Sequence, residues 1–273
     1  MTSHRTDTLR LAGCTALITG ASSGLGAAFA EELARRQANL ILVARSEPVL
    51  AATVSRLRDR YGIRADVIVQ DLAVEGAATA VAQRTAELGV RVDLLVNNAG
   101  FATQGRFETI AADRDHHQVM LNVAAAVDLT HALLPGMLAA GTGAIVNVAS
   151  LGGFQPAPYL AVYGATKAFM ISFSQALSAE LHGRGITVLA LCPGPVDTAF
   201  FDVLGSRAAA IGQQLDAAAV ITAALDALTA GRALLVPAGA TGSPPEPSPC
   251  YRAVPSCTRP NAPPAASSPP EQR

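Results

Sequence analysis

Tyr163 and Lys167 stand four residues apart, and Lys167 is the only lysine among the twenty basic residues of the chain. On a helix, side chains at i and i+4 share one face, so this spacing sets a phenol beside an ammonium. A phenol with a pKa near ~10 is a poor base at neutral pH, and lowering it to about 7 takes about 4 kcal/mol of preference for the phenolate. One ammonium ~4 Å away supplies about that much at an effective dielectric near ~20. The pair therefore reads as a general acid/base in which Lys167 makes Tyr163 acidic. Alone, it also fits two solvated neighbours on a helix surface. Ser150 shifts that balance: it follows the apolar run Ala144–Ala149, where a hydroxyl can polarise a substrate oxygen as charge develops.

A second cluster binds rather than reacts. Thr19-Gly20-Ala21-Ser22-Ser23-Gly24-Leu25-Gly26 follows the first apolar run and opens a helical pattern. Glycines there permit a tight turn and close backbone approach, and the following helix N-terminus favours a pyrophosphate. A simple strand-to-helix turn is the plainer alternative, but its place in a βαβ unit points to a dinucleotide. The second apolar run ends Ala44-Arg45-Ser46, without the carboxylate that would select NAD(H). A guanidinium at Arg45 can pair with a ribose 2′-phosphate, which favours NADP(H) over NAD(H).

These groups need a rigid frame. Apolar runs recur at Cys14–Thr19, Asn39–Ala44, Ala65–Gln70, Asp93–Val96, Ala144–Ala149, Ile186–Cys192 and Ala233–Val236, with helical spacing between them. Near-continuous apolar strands alternating with helices predict an α/β fold with a doubly wound parallel sheet. With 50% apolar residues, 15% charged and a formal charge of −1, the chain is neither a disordered protein nor one suited to a nucleic-acid backbone. The four cysteines (Cys14, Cys192, Cys250, Cys257) form no CxxC pair, and His116, His117, His131 and His182 fall in no metal-binding pattern, so no metal is expected. No apolar stretch of membrane-spanning length and no signal peptide is read, which makes a cytoplasmic protein with no membrane partner the expectation. Residues 240–273 hold ten of the seventeen prolines. The expected organisation is a lead at 1–10, one dinucleotide-binding catalytic domain at 11–239 and a Pro/Ser-rich disordered tail at 240–273.

In order and spacing, Thr19–Gly26, Asp71, Asn97–Gly100, Asn122, Ser150, Tyr163, Lys167 and Pro193-Gly194 resemble the motifs of the classical short-chain dehydrogenase/reductase family. The resemblance runs from about Leu11 to Ala238 and implies a Rossmann-like doubly wound parallel sheet of about seven strands with helices on both faces. It implies Tyr163 as general acid/base, with Lys167 on the nicotinamide ribose and lowering the tyrosine pKa. Ser150 would hold the substrate oxygen, and Asn122 would help position a water that relays protons by way of Lys167. Gly20, Ser22, Ser23, Gly24, Leu25, Gly26 and Arg45 would bind the cofactor phosphates. Asp71 and Leu72 would contact the adenine, while Asn98, Ala99 and Gly100 would line the cofactor cleft. Pro193, Gly194, Val196 and Thr198 would cradle the nicotinamide end. Singly, Asp71 also fits a turn cap, Asn122 a solvated helix residue and Pro193-Gly194 a plain turn.

Phe101, Phe154, Phe200, Phe201 and Leu204 are expected to line an apolar substrate pocket, though Phe200-Phe201 fit the core equally, with Val196–Gln214 as a lid and Cys192 in the core. The resemblance also implies a homodimer, or a tetramer, packed through Ala111–Ala140 and Pro158–Leu181. The expected activity is an NADP(H)-dependent oxidoreductase that interconverts a small-molecule carbonyl and an alcohol by hydride transfer. A catalytically silent NADP(H)-binding redox sensor or scaffold is the alternative.

Overall fold

The computed structural model describes residues 10–198 and 214–238. Seven strands, β1 (Thr15–Thr19), β2 (Asn39–Ala44), β3 (Ala65–Val69), β4 (Leu94–Asn97), β5 (Gly143–Val148), β6 (Ile186–Leu191) and β7 (Leu234–Leu235), form one sheet in the order β3-β2-β1-β4-β5-β6-β7. Every pairing is parallel. The chain winds outward from β1 in one direction, then returns to start β4 on its other side. Ligands bind at the carboxyl ends of strands flanking such a reversal.

Strand alternation divides the core between two faces. Ala16, Ile18, Leu94 and Val96 enter one cluster with Phe29, Leu57 and Leu225. These last three come from α1 (Gly24–Arg35), α2 (Glu47–Tyr61) and α7 (Ala217–Thr229). Leu17, Leu95 and Ile145 enter the opposite cluster with Val81, Leu129 and Met137. That face is covered by α3 (Ala77–Glu87) and α5 (Ala125–Ala140), together with α6 (Ala161–Glu180). By the same alternation, Asn97 and Asn147 project toward α5 and α6, a placement that matters below.

Local sequence sets the helix limits. Pro48 stands in the first turn of α2, and Gly62 ends that helix at φ 67°, a left-handed cap that glycine adopts without strain. A short helix, α4 (Ala112–Val119), runs into α5 through a π-helical turn at Met120–Ala124. Such turns recur where a helix must reposition one side chain, and Asn122 is in this one. The continuous helix Ala112–Ala140 has the length and hydropathy of a membrane span, but Leu129, Leu133 and Met137 are buried against the sheet. Phe200, Phe201, Leu204 and most of the expected lid lie outside the described residues, as does the 240–273 tail.

Candidate active site

The glycine turn is built by a lock between β1 and β4. The Thr19 hydroxyl donates to Val96 O (3.2 Å) and accepts from the backbone N–H groups of Asn98 and Ala99 (both 2.9 Å). Asn98 Nδ2 donates to Thr19 O (2.9 Å) and Gly20 O (3.3 Å). Gly20 has φ 63° and sits so close to Ala99 that a Cβ would come within 2.9 Å of its Cα. At Gly26 a Cβ would stand 2.2 Å from Gly20 O and 2.6 Å from Asn98 Nδ2. Helix α1 starts at Gly24, with no side-chain cap from Ser23 and no acidic residue in its first turn. Its leading N–H groups therefore face outward with a partial positive charge, as an anion such as pyrophosphate requires. Thr198 lies opposite, its Cβ 3.5 Å from the Cβ position of Gly24. The segment after β6 thus closes over the turn. These residues fit a dinucleotide.

Ser150, Tyr163 and Lys167 meet beyond the carboxyl end of β5. Ser150 Oγ accepts from Gly152 N (3.1 Å), which fixes the short 3₁₀ turn Leu151–Gly153. Leu151 N donates to Pro193 O (3.0 Å), joining this turn to the segment after β6. Gly153 is pressed onto α6: a Cβ there would lie 2.6 Å from the Lys167 carbonyl carbon. That contact sets the height of the helix against Ser150. The Ser150 hydroxyl hydrogen-bonds the Tyr163 phenol.

Electrostatics at the pair differ from the expectation. Burial pushes the Tyr163 phenol above its ordinary value, and the Ser150 hydrogen bond offsets this only in part. Lys167 is engaged at the end of β5. Its Nζ donates to Val148 O at 2.7 Å and stands 5.7 Å from the centre of the tyrosine ring. Burial pulls the Lys167 ammonium down to about 8, with Cys192 acting in the opposite sense. Burial also pushes the Cys192 thiol up to about 12, so it stays neutral in the core, as expected.

Asn122 is committed to structure on every side. Its Nδ2 donates to Phe101 O (3.0 Å) and Thr166 Oγ1 (3.1 Å), and its Oδ1 accepts from Phe101 N (3.1 Å). It clamps the segment after β4 to α6. Asp71 caps a turn, its Oδ1 accepting from Ala73 N (3.0 Å), beside the buried Leu72. Arg45 is exposed at the end of β2, with no ion pair among the described residues. Phe101 is half-buried beneath the Arg114 guanidinium, 5.2 Å from the ring centre, while Phe154 packs on the small cluster around Cys192.

Sequence reasoning missed a buried amide network. Asn97 Nδ2 donates to Asn147 Oδ1 (2.9 Å), and Asn147 Nδ2 donates to Ser174 Oγ (2.9 Å). The available signal was an asparagine just after one apolar run and another inside a second, at positions that pair across the sheet. Gly153 carried no such signal.

Comparisons with known proteins bear on the chain and its fold. A family model for short chain dehydrogenase matches residues 14–209. Ketoacyl reductase HetN of Nostoc sp. is 37% identical over 186 residues, covering 68% of this chain and 64% of that protein. Inactive hydroxysteroid dehydrogenase-like protein 1 of Homo sapiens is 36% identical over 196 residues, covering 71% and 59%. The chain thus spans about three fifths of the length of these curated relatives. A short-chain dehydrogenase from Sphingobium yanoikuyae in complex with NADPH superimposes with a TM-score of 0.78 at 37% identity, over 82% of this chain and 88% of that one.

Proposed function

The chain belongs to the short-chain dehydrogenase family of oxidoreductases, and on that premise we propose that it interconverts an apolar carbonyl compound and its alcohol with NADP(H). The observation that carries this reading is the convergence of Ser150, Tyr163 and Lys167 at the carboxyl edge of the parallel sheet, the edge where the uncapped N-terminus of α1 follows β1. Bound nicotinamide supplies or accepts the hydride. The protein's own groups handle the oxygen. Ser150 donates a hydrogen bond to it, which stabilises charge as the carbonyl is reduced. Tyr163, held protonated by burial, delivers the proton. Lys167 keeps a positive charge beneath the site at neutral pH, anchored on Val148 O.

The Homo sapiens relative with "inactive" in its name favours weighing a second reading, a silent NADP(H)-binding module. The intact serine, tyrosine and lysine speak against it. A panel of apolar ketones and 3-oxoacyl thioesters, followed at the NADPH absorbance band in both directions, decides between them. Turnover of any member supports the enzyme. NADPH binding without turnover of any carbonyl supports the silent module.

The Arg45 guanidinium, exposed and without an ion pair among the described residues, supports NADP(H) over NAD(H). A charge-assisted hydrogen bond contributes about 1.5–3 kcal/mol. Arg45→Asp is therefore expected to lower the NADP(H)/NAD(H) ratio of kcat/KM by about tenfold to a hundredfold. A ratio unchanged in that variant removes the assignment.

A further inference from the structure

Asn97 is 5% exposed, and its Oδ1 has no hydrogen-bond partner among the described residues. An orphaned buried acceptor costs about 1–3 kcal/mol, so something is expected to satisfy it. The oxygen belongs to a residue lining a small cavity that Lys167, Asn122 and Ala126 also border. The space is about that of one water molecule. Lys167 has three N–H donors and spends one on Val148 O. The Asn122 amide is spent on Phe101 and Thr166.

We propose that this cavity holds one ordered water that accepts from the Lys167 ammonium and donates to Asn97 Oδ1, which makes Asn97 a positioning residue for Lys167. The proposal rests on the oxidoreductase reading only for its functional consequence. The direction of every bond beyond the water supports it. Asn97 Nδ2 donates to Asn147 Oδ1, Asn147 Nδ2 donates to Ser174 Oγ, and Ser174 Oγ donates to Met170 O (2.6 Å). The chain runs head to tail from a cation to a carbonyl, so each donor polarises the next. It begins and ends on α6, crossing β4 and β5 between. The ammonium is thereby tied to the sheet as well as to its own helix, and its position is set by the strand register Asn97–Asn147.

Crystal structures of the full chain, with and without NADPH, test the water directly. One water is expected within about 2.7–3.2 Å of both Asn97 Oδ1 and Lys167 Nζ. A dry cavity, or a water touching Lys167 but not Asn97, overturns the proposal without touching the enzymatic reading. Asn97→Leu would orphan Asn147 and risks the fold, so Ala126→Val is the working variant. Its added methyl groups are expected to fill the cavity, and no protein–protein bond of the chain uses the Ala126 side chain. The water is expected to be lost, with kcat lowered about tenfold and KM for NADPH within about twofold. An unchanged kcat with the water gone overturns the positioning role, as does a lowered kcat with the water still bound.

Discussion

Tyr163→Phe is expected to cut carbonyl reduction by about 10²–10⁴-fold while NADPH affinity stays within about twofold. The substitution deletes one hydroxyl and keeps the ring. The glycine turn, the Lys167–Val148 bond and the packing of α6 on Gly153 do not depend on that hydroxyl, so the cofactor cleft is unaffected. What is lost is the hydroxyl hydrogen-bonded to Ser150, the proton donor of the proposed reaction. The pH dependence adds a second reading of the same group. With the phenol held above its ordinary value by burial, the acid form persists through neutral pH. Reduction, which uses that form, should stay level there and fall only on the alkaline side. Alcohol oxidation needs the phenolate and should rise with pH over the same range. Rate measurements in both directions check this, and Tyr163→Phe should abolish both dependences. Wild-type rates in that variant would falsify the acid/base role.

The direction of the tyrosine shift marks where sequence spacing stops being informative. Four residues on a helix place Tyr163 and Lys167 on one face, and they do share it. Spacing carries no statement about what else the ammonium touches. A backbone carbonyl at the end of β5 takes the Lys167 proton donor, and burial, which spacing also omits, acts on both groups in opposite senses. The strands were legible because apolar runs of buried parallel strands are local: β2 has the expected bounds, Asn39–Ala44. Strand ends were less so. Asn97 belongs to β4, although its polarity argued for ending the run at Val96. The reason is tertiary, since its side-chain NH2 finds Asn147 and Thr130 on other elements. Asn122 was legible as a helical residue but not as part of a π-turn, because nothing in Met120–Ala124 departs from ordinary helix composition.

The same distinction separates two kinds of site residue. Ser150, Tyr163 and the glycine turn announce themselves by type and position. Thr19, Asn98, Gly153 and Asn147 act by holding those residues, and their partners lie far away in sequence. Asn98 and Thr19 are 79 positions apart yet share two hydrogen bonds. Such supports become visible only once the sheet sets β1 beside β4. The chemistry was read from motifs, and its precision comes from the buried polar contacts beneath them.

Gly26→Ala puts that dependence to the test with one methyl group. The added Cβ would stand 2.2 Å from Gly20 O and 2.6 Å from Asn98 Nδ2. Neither neighbour is the free end of a flexible side chain. Gly20 O is backbone in a turn with φ 63°, and the Asn98 amide is tied to Thr19 O and Gly20 O. Relief therefore requires α1 to retreat from the β1 turn or the β1–β4 lock to open. Overpacking of this kind costs about 1–3 kcal/mol, or a fall in Tm of about 2–4 °C for each kcal/mol in a domain of this size. The leading N–H groups of α1 move with the helix, so NADPH affinity should weaken by more than about tenfold. Gly136→Ala is the matched control. It lies inside α5, where a Cβ meets nothing nearer than Arg91 Cγ at 3.9 Å. There the gain in helix propensity should stabilise by about 0.5–1 kcal/mol and leave NADPH binding unchanged. If the close approach at Gly26 builds the site, the two variants shift Tm in opposite directions and only Gly26→Ala loses NADPH affinity. Wild-type Tm and affinity in Gly26→Ala would mean the turn tolerates a side chain, and the phosphate cradle would then need another origin.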